Sequence, residues 1–163
     1  MPSKSFRFKL QTVLELKERK EEEEKEKLAR LFKMKAEEEA LLTKLEREKE
    51  EIREELRRKQ TAGGVDIEKI KMFHGHLKTL DNRITHQRLR LKEIEIAIDK
   101  QRDELLKATQ EKKTLEKLKE KHREVWVTEM EAEERKFIDE LATIRSHRLK
   151  EEKKEGGNDN GDV

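Results

Sequence analysis

The sequence predicts an all-α protein in which two long helices form an antiparallel coiled-coil hairpin, with the second helix longer than the first and overhanging it. Charged residues make up 49% of the 163 residues and apolar residues 31%, which is too few for a globular core. The 41 Lys and Arg balance the 39 Asp and Glu to a net charge of +2, as on a helix surface rather than in a disordered chain. Proline occurs once, at Pro2, so long helices are allowed beyond it.

The first helix is predicted over residues 9–60, because apolar residues recur there at intervals of three and four, the a and d positions of heptads. The apolar members of this seam are Leu10, Leu14, Leu28, Leu31, Leu42, Leu45, Ile52 and Leu56. Between Lys17 and Glu24 the seam positions are charged. We expect the helix to fray most in that segment, because buried charges contribute little to stability.

A turn is predicted over residues 61–65, at the start of the sequence TAGGVD. Gly63 and Gly64 can adopt the positive φ that ends a helix, and Asp66 can accept hydrogen bonds from the first amides of the next helix. That second helix is predicted over residues 66–150. Its seam is apolar at Ile70, Phe73, Leu77, Leu80, Ile84, Leu91, Ile94, Ile98, Leu105, Ala108 and Leu115, with Gln87, Gln101 and Lys112 between them.

Two alignments of the helices stay open from the sequence. The first alignment places Ile84 opposite Leu45. The shorter alignment is displaced by one heptad and places Leu80 opposite Leu42. Both bring the basic residues 83–92 near the acidic residues 37–39, which favours antiparallel packing.

Beyond about residue 123 the second helix is expected to outrun the first. An unpaired helix there would expose an apolar stripe formed by Trp126, Phe137, Leu141 and Ile144. Such a stripe is seldom left uncovered in soluble monomers, so it is the first candidate for a partner site. Residues 151–163 are predicted to be a disordered tail, and residues 1–163 a single elongated domain.

Several classes of function find no support in the residues. The chain has no cysteine, and His74 and His76 lie two apart on a helix and point to different faces, so no metal site is expected. No glycine-rich phosphate loop or catalytic motif is present, which predicts neither enzyme activity nor a cofactor. The near-neutral charge argues against nucleic-acid binding. Apolar runs reach only three residues, which predicts a cytoplasmic protein without a signal peptide or membrane span.

Gly75 interrupts the second predicted helix. A glycine in mid-helix costs about 1 kcal/mol relative to alanine and exposes backbone beside Phe73 and Leu77. It indicates either a point where a partner approaches closely or a tolerated local weakness.

Four segments, in this order, resemble the FliJ family. They are FRFKLQTVLELKERKEEEEKEKLA near the start, FHGHLKTLDNRITHQ after the turn, QEKKTLEKLKEKH, and KFIDELATIRSHR near the end. FliJ-like proteins are small coiled-coil components of the flagellar type III export apparatus. The resemblance implies a non-catalytic stalk, similar in shape to the two-helix rotor stalk of the F-type ATP synthase gamma subunit.

The resemblance also implies partners and contact residues. The end that carries both chain termini would bind a hexameric, FliI-like export ATPase, and residues near the turn would bind an FlhA-like export gate protein, with export chaperones as further partners. The implied ATPase contacts are Phe6, Phe8, Leu10, Asp139, Glu140, Leu141, Arg145 and Arg148, to which the apolar stripe adds Trp126 and Phe137. The implied gate contacts are Phe73, His76, Leu77 and Leu80. The family more often has tyrosine or phenylalanine at the position of His76.

The expected function is therefore a flagellar export stalk that couples the ATPase ring to the export gate. Such a protein would be monomeric when isolated, and would be held at the inner face of the cell membrane by the export apparatus without inserting into it. Two alternatives stay open: the stalk of a virulence-type secretion system, and a generic coiled-coil scaffold that self-associates.

Overall fold

A computed structural model describes residues 5–64 and 66–155, and within these ranges the regular secondary structure is entirely helical. Helix α1 runs Gln11–Thr61, 51 residues, and helix α2 runs Ile67–Glu155, 89 residues. The two helices pack against each other. This confirms the all-α class, the two packed helices and the longer second helix.

The connection between the helices has the predicted chemistry. Gly63 and Gly64 have φ angles of 72° and 78°, a region that glycine adopts without a steric cost. Asp66 accepts a hydrogen bond on Oδ1 from the amide of Glu68 at 3.1 Å, and so caps the start of α2. Of the predicted turn, Thr61 belongs to α1, and position 65 lies outside the described residues.

Contacts group the described residues into two units, residues 15–112 and residues 5–14 with 113–155. The expectation of a single domain stays a prediction. The apolar core of unit 15–112 is formed by Leu45, Leu80 and Ile84, with Leu42 and Ile52 packed against it. The predicted α2 seam positions of this unit, from Ile70 to Lys112, are all buried or half-buried, which confirms the heptad assignment.

Ion pairs between α1 and α2 show which alignment is present in unit 15–112. Lys35 pairs with Glu95 at 3.2 Å, and Lys49 pairs with Asp81. As residue numbers rise along α1, those of the partners fall along α2, so the helices are antiparallel. The shorter alignment would displace each pair by one heptad, about 10 Å, and place Lys49 opposite Phe73. The structure therefore has the first alignment.

The charged part of the α1 seam is packed against α2 through ion pairs. Glu21 is buried, and its carboxylate pairs with Lys112 of α2 and, at 2.9 Å, with Lys25. Hydrogen bonds from Lys112 and then Lys25 hold the pKa of Glu21 below its ordinary value of 4.5, against the opposing effect of burial. The expected fraying between Lys17 and Glu24 stays a prediction.

The unit of residues 5–14 and 113–155 has its packed part at Phe8 and Leu14, which are buried, and at the half-buried Leu115 and Leu118. From residue 131 to 154 every side chain of α2 is exposed. The predicted tail needs a correction, because residues 151–155 are helical. Their sequence EEKKE contains good helix formers and no breaker, so the helix continues. Residues 156–163 lie outside the described residues.

Candidate functional site

The N-terminal segment before α1 is held on α2 by two aromatic contacts. The ring centroids of Phe6 and Trp126 lie 6.0 Å apart, with a tilted geometry. Those of Phe8 and His122 lie 5.8 Å apart, edge to face. Both distances fall in the range of favourable aromatic pairs. We call Phe6, Phe8, His122 and Trp126 the aromatic clasp.

Polar contacts continue the clasp into the first turn of α1. The amide of Gln11 donates to the Phe8 carbonyl at 3.2 Å, and Lys119 Nζ donates to the Gln11 side chain at 2.8 Å. A shallow groove beside these contacts is lined by Phe6, Arg7, Phe8, Lys9, Gln11, Thr12 and Lys119. Its three cations make the rim of the groove basic.

The clasp corrects the predicted exposure of Trp126. The ring is half-buried because Phe6 covers it, so it is not part of a bare stripe. Phe8 is only 6% exposed and offers little surface to another protein. The sequence-based reasoning did not identify His122 as part of this site, although it lies on the continued heptad seam seven residues after Leu115.

A group of four exposed apolar residues lies further along α2. Phe137, Ile138, Leu141 and Ile144 are 44 to 55% exposed. They follow one another by one, three and three residues and therefore share one side of the helix. We call these four residues the C-terminal stripe. Ile138 was absent from the predicted contacts, although its spacing of three from Leu141 could have identified it.

The charged residues implied as ATPase contacts are exposed but do not share one face. Arg145 and Arg148 lie beside the C-terminal stripe, at spacings of four and seven from Leu141, and Glu140 lies at its edge. Asp139 lies about 200° around the helix from Phe137, so one flat partner cannot contact both. Leu10, 38% exposed, lies in the N-terminal segment.

A second groove lies in unit 15–112, next to the turn. It is lined by Ile52, Lys59, Lys69, Met72, Phe73 and His76, and we call it the turn-adjacent groove. Lys59 Nζ lies 4.8 Å from the centre of the Phe73 ring, within cation–π distance. His76 Nε2 lies 3.5 Å from a Glu48 oxygen, an ion pair only when the histidine is protonated.

The four implied gate contacts differ in their access to solvent. Phe73 and His76 line the turn-adjacent groove, whereas Leu77 lines a separate depression with His74 and Lys78. Leu80 is 1% exposed and belongs to the apolar core. Its predicted gate contact would therefore require the helices to separate, because a side chain without accessible surface cannot contact a partner.

Four residues that line the turn-adjacent groove were absent from the predicted gate contacts: Ile52, Lys59, Lys69 and Met72. Met72 is 74% exposed, and its position next to Phe73 but off the seam could have identified it. Lys59 comes from α1, and only the packing of the helices brings it over Phe73. At Gly75 an added Cβ would meet nothing within 4 Å, so α1 does not approach that side of the glycine closely.

No group of three or more His, Cys, Asp or Glu side chains in residues 5–64 and 66–155 is arranged to hold a metal ion. Neither helix contains, in its described part, a segment long and apolar enough to cross a membrane.

A comparison with models of known protein families identifies a match. The family model described as Flagellar FliJ protein matches residues 6–151, which confirms the resemblance seen in the four sequence segments. No curated protein and no solved structure gives a significant match. The family consists of structural components of flagellar export and is not an enzyme family. Because the match covers nearly the whole chain, the protein belongs to the flagellar FliJ family.

Proposed function

We propose that this flagellar export component is a stalk protein that binds the hexameric export ATPase through the C-terminal stripe and the export gate protein through the turn-adjacent groove. The C-terminal stripe is the observation that carries the proposal. Four large apolar side chains are about half exposed on a helix whose neighbouring residues are mostly charged. Exposed apolar clusters rimmed by polar residues are typical of protein–protein contact sites.

The chemistry of the stripe suits a protein partner. Phe137 supplies an aromatic side chain that can anchor in a pocket, and Arg145 and Arg148 beside it can pair with carboxylates of the partner. The stripe adds little to the packing of this chain, because every side chain from residue 131 to 154 is exposed. Its apolar surface is therefore available for binding.

The aromatic clasp has a different part in the proposal. Phe6, Phe8 and Trp126 already pack on this chain's own residues, so they support the N-terminal segment rather than anchor the ATPase. The basic groove beside Phe6, with Arg7, Lys9 and Lys119 on its rim, gives the same unit a surface for carboxylates of the ATPase.

The turn-adjacent groove combines an apolar surface with cations. Ile52, Met72 and Phe73 supply the apolar part, and Lys59 and Lys69 stand beside it. A gate segment with an apolar side chain next to a carboxylate would complement both features. Under this proposal the chain is cytoplasmic, is held at the inner face of the cell membrane by its partners, and also meets export chaperones.

The experiment mixes the purified chain with the export ATPase of the same bacterium. Binding is measured by sedimentation velocity and ATP hydrolysis by phosphate release. We expect a complex, and a higher turnover or a larger fraction of ATPase hexamers. Absence of both binding and stimulation would overturn the ATPase part of the proposal. A chain that dimerises by itself, instead of sedimenting as a 19.6 kDa monomer, would favour the self-associating scaffold.

A further inference from the structure

Two layers of the seam in unit 15–112 are polar and have the same pattern of hydrogen bonds. Gln87 Nε2 donates a hydrogen bond to the Glu38 carbonyl at 2.9 Å and a second one to the Glu38 carboxylate. Gln101 Nε2 donates to the Glu24 carbonyl at 3.2 Å and also to the Glu24 carboxylate. In each layer one glutamine amide of α2 thus binds both the main chain and the side chain of one glutamate of α1.

These four residues lie inside the seam. Glu24 and Gln87 are buried, and Glu38 and Gln101 are half-buried. Hydrogen bonds from Lys27 and from Gln101 hold the pKa of Glu24 below its ordinary value, so the buried group is a carboxylate at neutral pH. A buried carboxylate needs such donors, because it is costly to bury without them.

The two layers have the same spacing on both helices. Glu24 and Glu38 are 14 residues apart, and so are Gln87 and Gln101, which is two heptads. The hydrogen bonds of both layers can therefore form together in one alignment. The apolar layers are less selective, because Leu and Ile recur along both seams and still meet apolar residues after a slip of one heptad.

The shorter alignment shows what a slip would do. It would place the Glu38 carboxylate against Leu80 and Ile84, and the Glu24 carboxylate against Ile94 and Ile98. Each carboxylate would lose its glutamine donor and lie against apolar side chains, while Glu24 would keep its ion pair with Lys27 of the same helix. Polar residues in coiled-coil seams are known to specify alignment in this way, at a cost in stability.

We propose that the Glu24–Gln101 and Glu38–Gln87 layers select the alignment of α1 on α2 and act as positioning residues for the turn-adjacent groove. The groove depends on the alignment because Ile52 and Lys59 come from α1 and Phe73 from α2. A slip of one heptad would displace them by about 10 Å relative to each other. The inference does not rest on the proposed function, because the experiment measures the alignment of the two helices and not the binding of a partner.

Disulfide trapping can report the alignment, because the chain contains no cysteine. A Leu45→Cys/Ile84→Cys pair reports the first alignment, in which the two side chains share the core. A Leu45→Cys/Leu77→Cys pair reports the shorter one. In the otherwise unchanged chain we expect at least tenfold more intramolecular cross-link from the first pair.

The decisive variant moves the glutamines by one heptad toward the turn: Leu80→Gln, Gln87→Leu, Ile94→Gln and Gln101→Leu. In the shorter alignment Glu38 and Glu24 would again meet glutamine donors. We expect the preference to reverse, with more cross-link from the Leu45→Cys/Leu77→Cys pair. If the first pair stays preferred by the same factor, the turn sets the alignment and the proposal is wrong.

A second variant replaces both layers by leucine: Glu24→Leu, Glu38→Leu, Gln87→Leu and Gln101→Leu. We expect it to melt at a higher temperature, because apolar side chains replace buried polar ones, and to cross-link in both pairs. Its control carries the same changes at the exposed Glu22, Glu39, Gln60 and Gln110. The control should cross-link like the unchanged chain. A leucine variant that still prefers the Leu45→Cys/Ile84→Cys cross-link, or a control variant that loses this preference, would also overturn the proposal.

Discussion

The ring of Phe6 lies against that of Trp126, with centroids 6.0 Å apart and an interplanar angle of 55°. Phe6 precedes α1, so this contact ties the N-terminal segment to α2. Trp126 is the only tryptophan of the chain, and its fluorescence therefore reports the contact directly.

Phe6→Ala should expose the Trp126 ring. We expect a red shift of its emission and stronger quenching by acrylamide, with helicity measured by circular dichroism nearly unchanged, because Phe6 lies outside both helices. Phe32→Ala is the matched control, since Phe32 is half exposed and lies in unit 15–112. Emission that is the same in the Phe6 variant as in the unchanged chain would show that the aromatic clasp does not form in solution.

Phe137→Ala combined with Leu141→Ala should weaken binding of the export ATPase about tenfold or more, because the pair forms the centre of the C-terminal stripe. The free energy of unfolding should change by less than about 1 kcal/mol, because both side chains are about half exposed. Lys136→Ala with Thr143→Ala, on another side of the same helix, is the control. The stripe would be an internal packing surface if the first variant lost much of its helicity.

Leu80→Ala and Met72→Ala should affect different properties, the first the stability of the chain and the second its binding to the gate protein. Leu80 is fully buried in the core, so its truncation should lower the free energy of unfolding by about 2–5 kcal/mol. Met72 is largely exposed, so its truncation should change stability by about 0.5 kcal/mol or less and reduce binding of the export gate protein. Urea unfolding and calorimetric titration measure the two effects. Leu89→Ala, exposed but outside the turn-adjacent groove, should leave gate binding unchanged.

Acid should destabilise the protein partly through Glu21. Its pKa in the folded chain lies below the ordinary value of 4.5, so the unfolded chain takes up the proton first as the pH falls. The stability that Glu21 contributes is complete above about pH 4.5 and is lost as the pH falls through the folded pKa. Glu24 and Glu111, whose pKa values are also lowered, act in the same direction.

Glu21→Gln should lower stability at neutral pH, because Lys112 and Lys25 lose their carboxylate. Below about pH 4.5 its stability should fall less steeply with pH than that of the unchanged chain. Glu18→Gln, an exposed change of the same kind three residues away, is the control. Thermal unfolding between about pH 7 and about pH 3 measures these slopes, and equal slopes for the Glu21 variant and the unchanged chain would contradict the assignment.

The helices, the turn and the seam could be predicted from the sequence alone. Each depends on neighbouring residues: apolar side chains three and four apart, two glycines that accept positive φ, and an aspartate that caps the next amides. The burial of Leu80 could also have been predicted, since it occupies a seam position, whereas its match to the family motif assigned it to a partner contact. The exposure of the C-terminal stripe followed from the lengths of the two helices.

Only the tertiary structure decided the alignment of α1 on α2, the packing of Phe6 on Trp126 and the residues that line the turn-adjacent groove. A heptad pattern repeats itself after seven residues, so apolar periodicity by itself does not select between the two alignments. The structure has the first alignment, in which polar contacts join residues that are 49 and 77 positions apart, Gln87 with Glu38 and Gln101 with Glu24. Phe6 and Trp126, and Lys59 and Phe73, likewise meet only after the chain has folded back on itself. The sequence alone determined where the helices form and which side of each is buried, and only the packing of one helix on the other decided which residues meet.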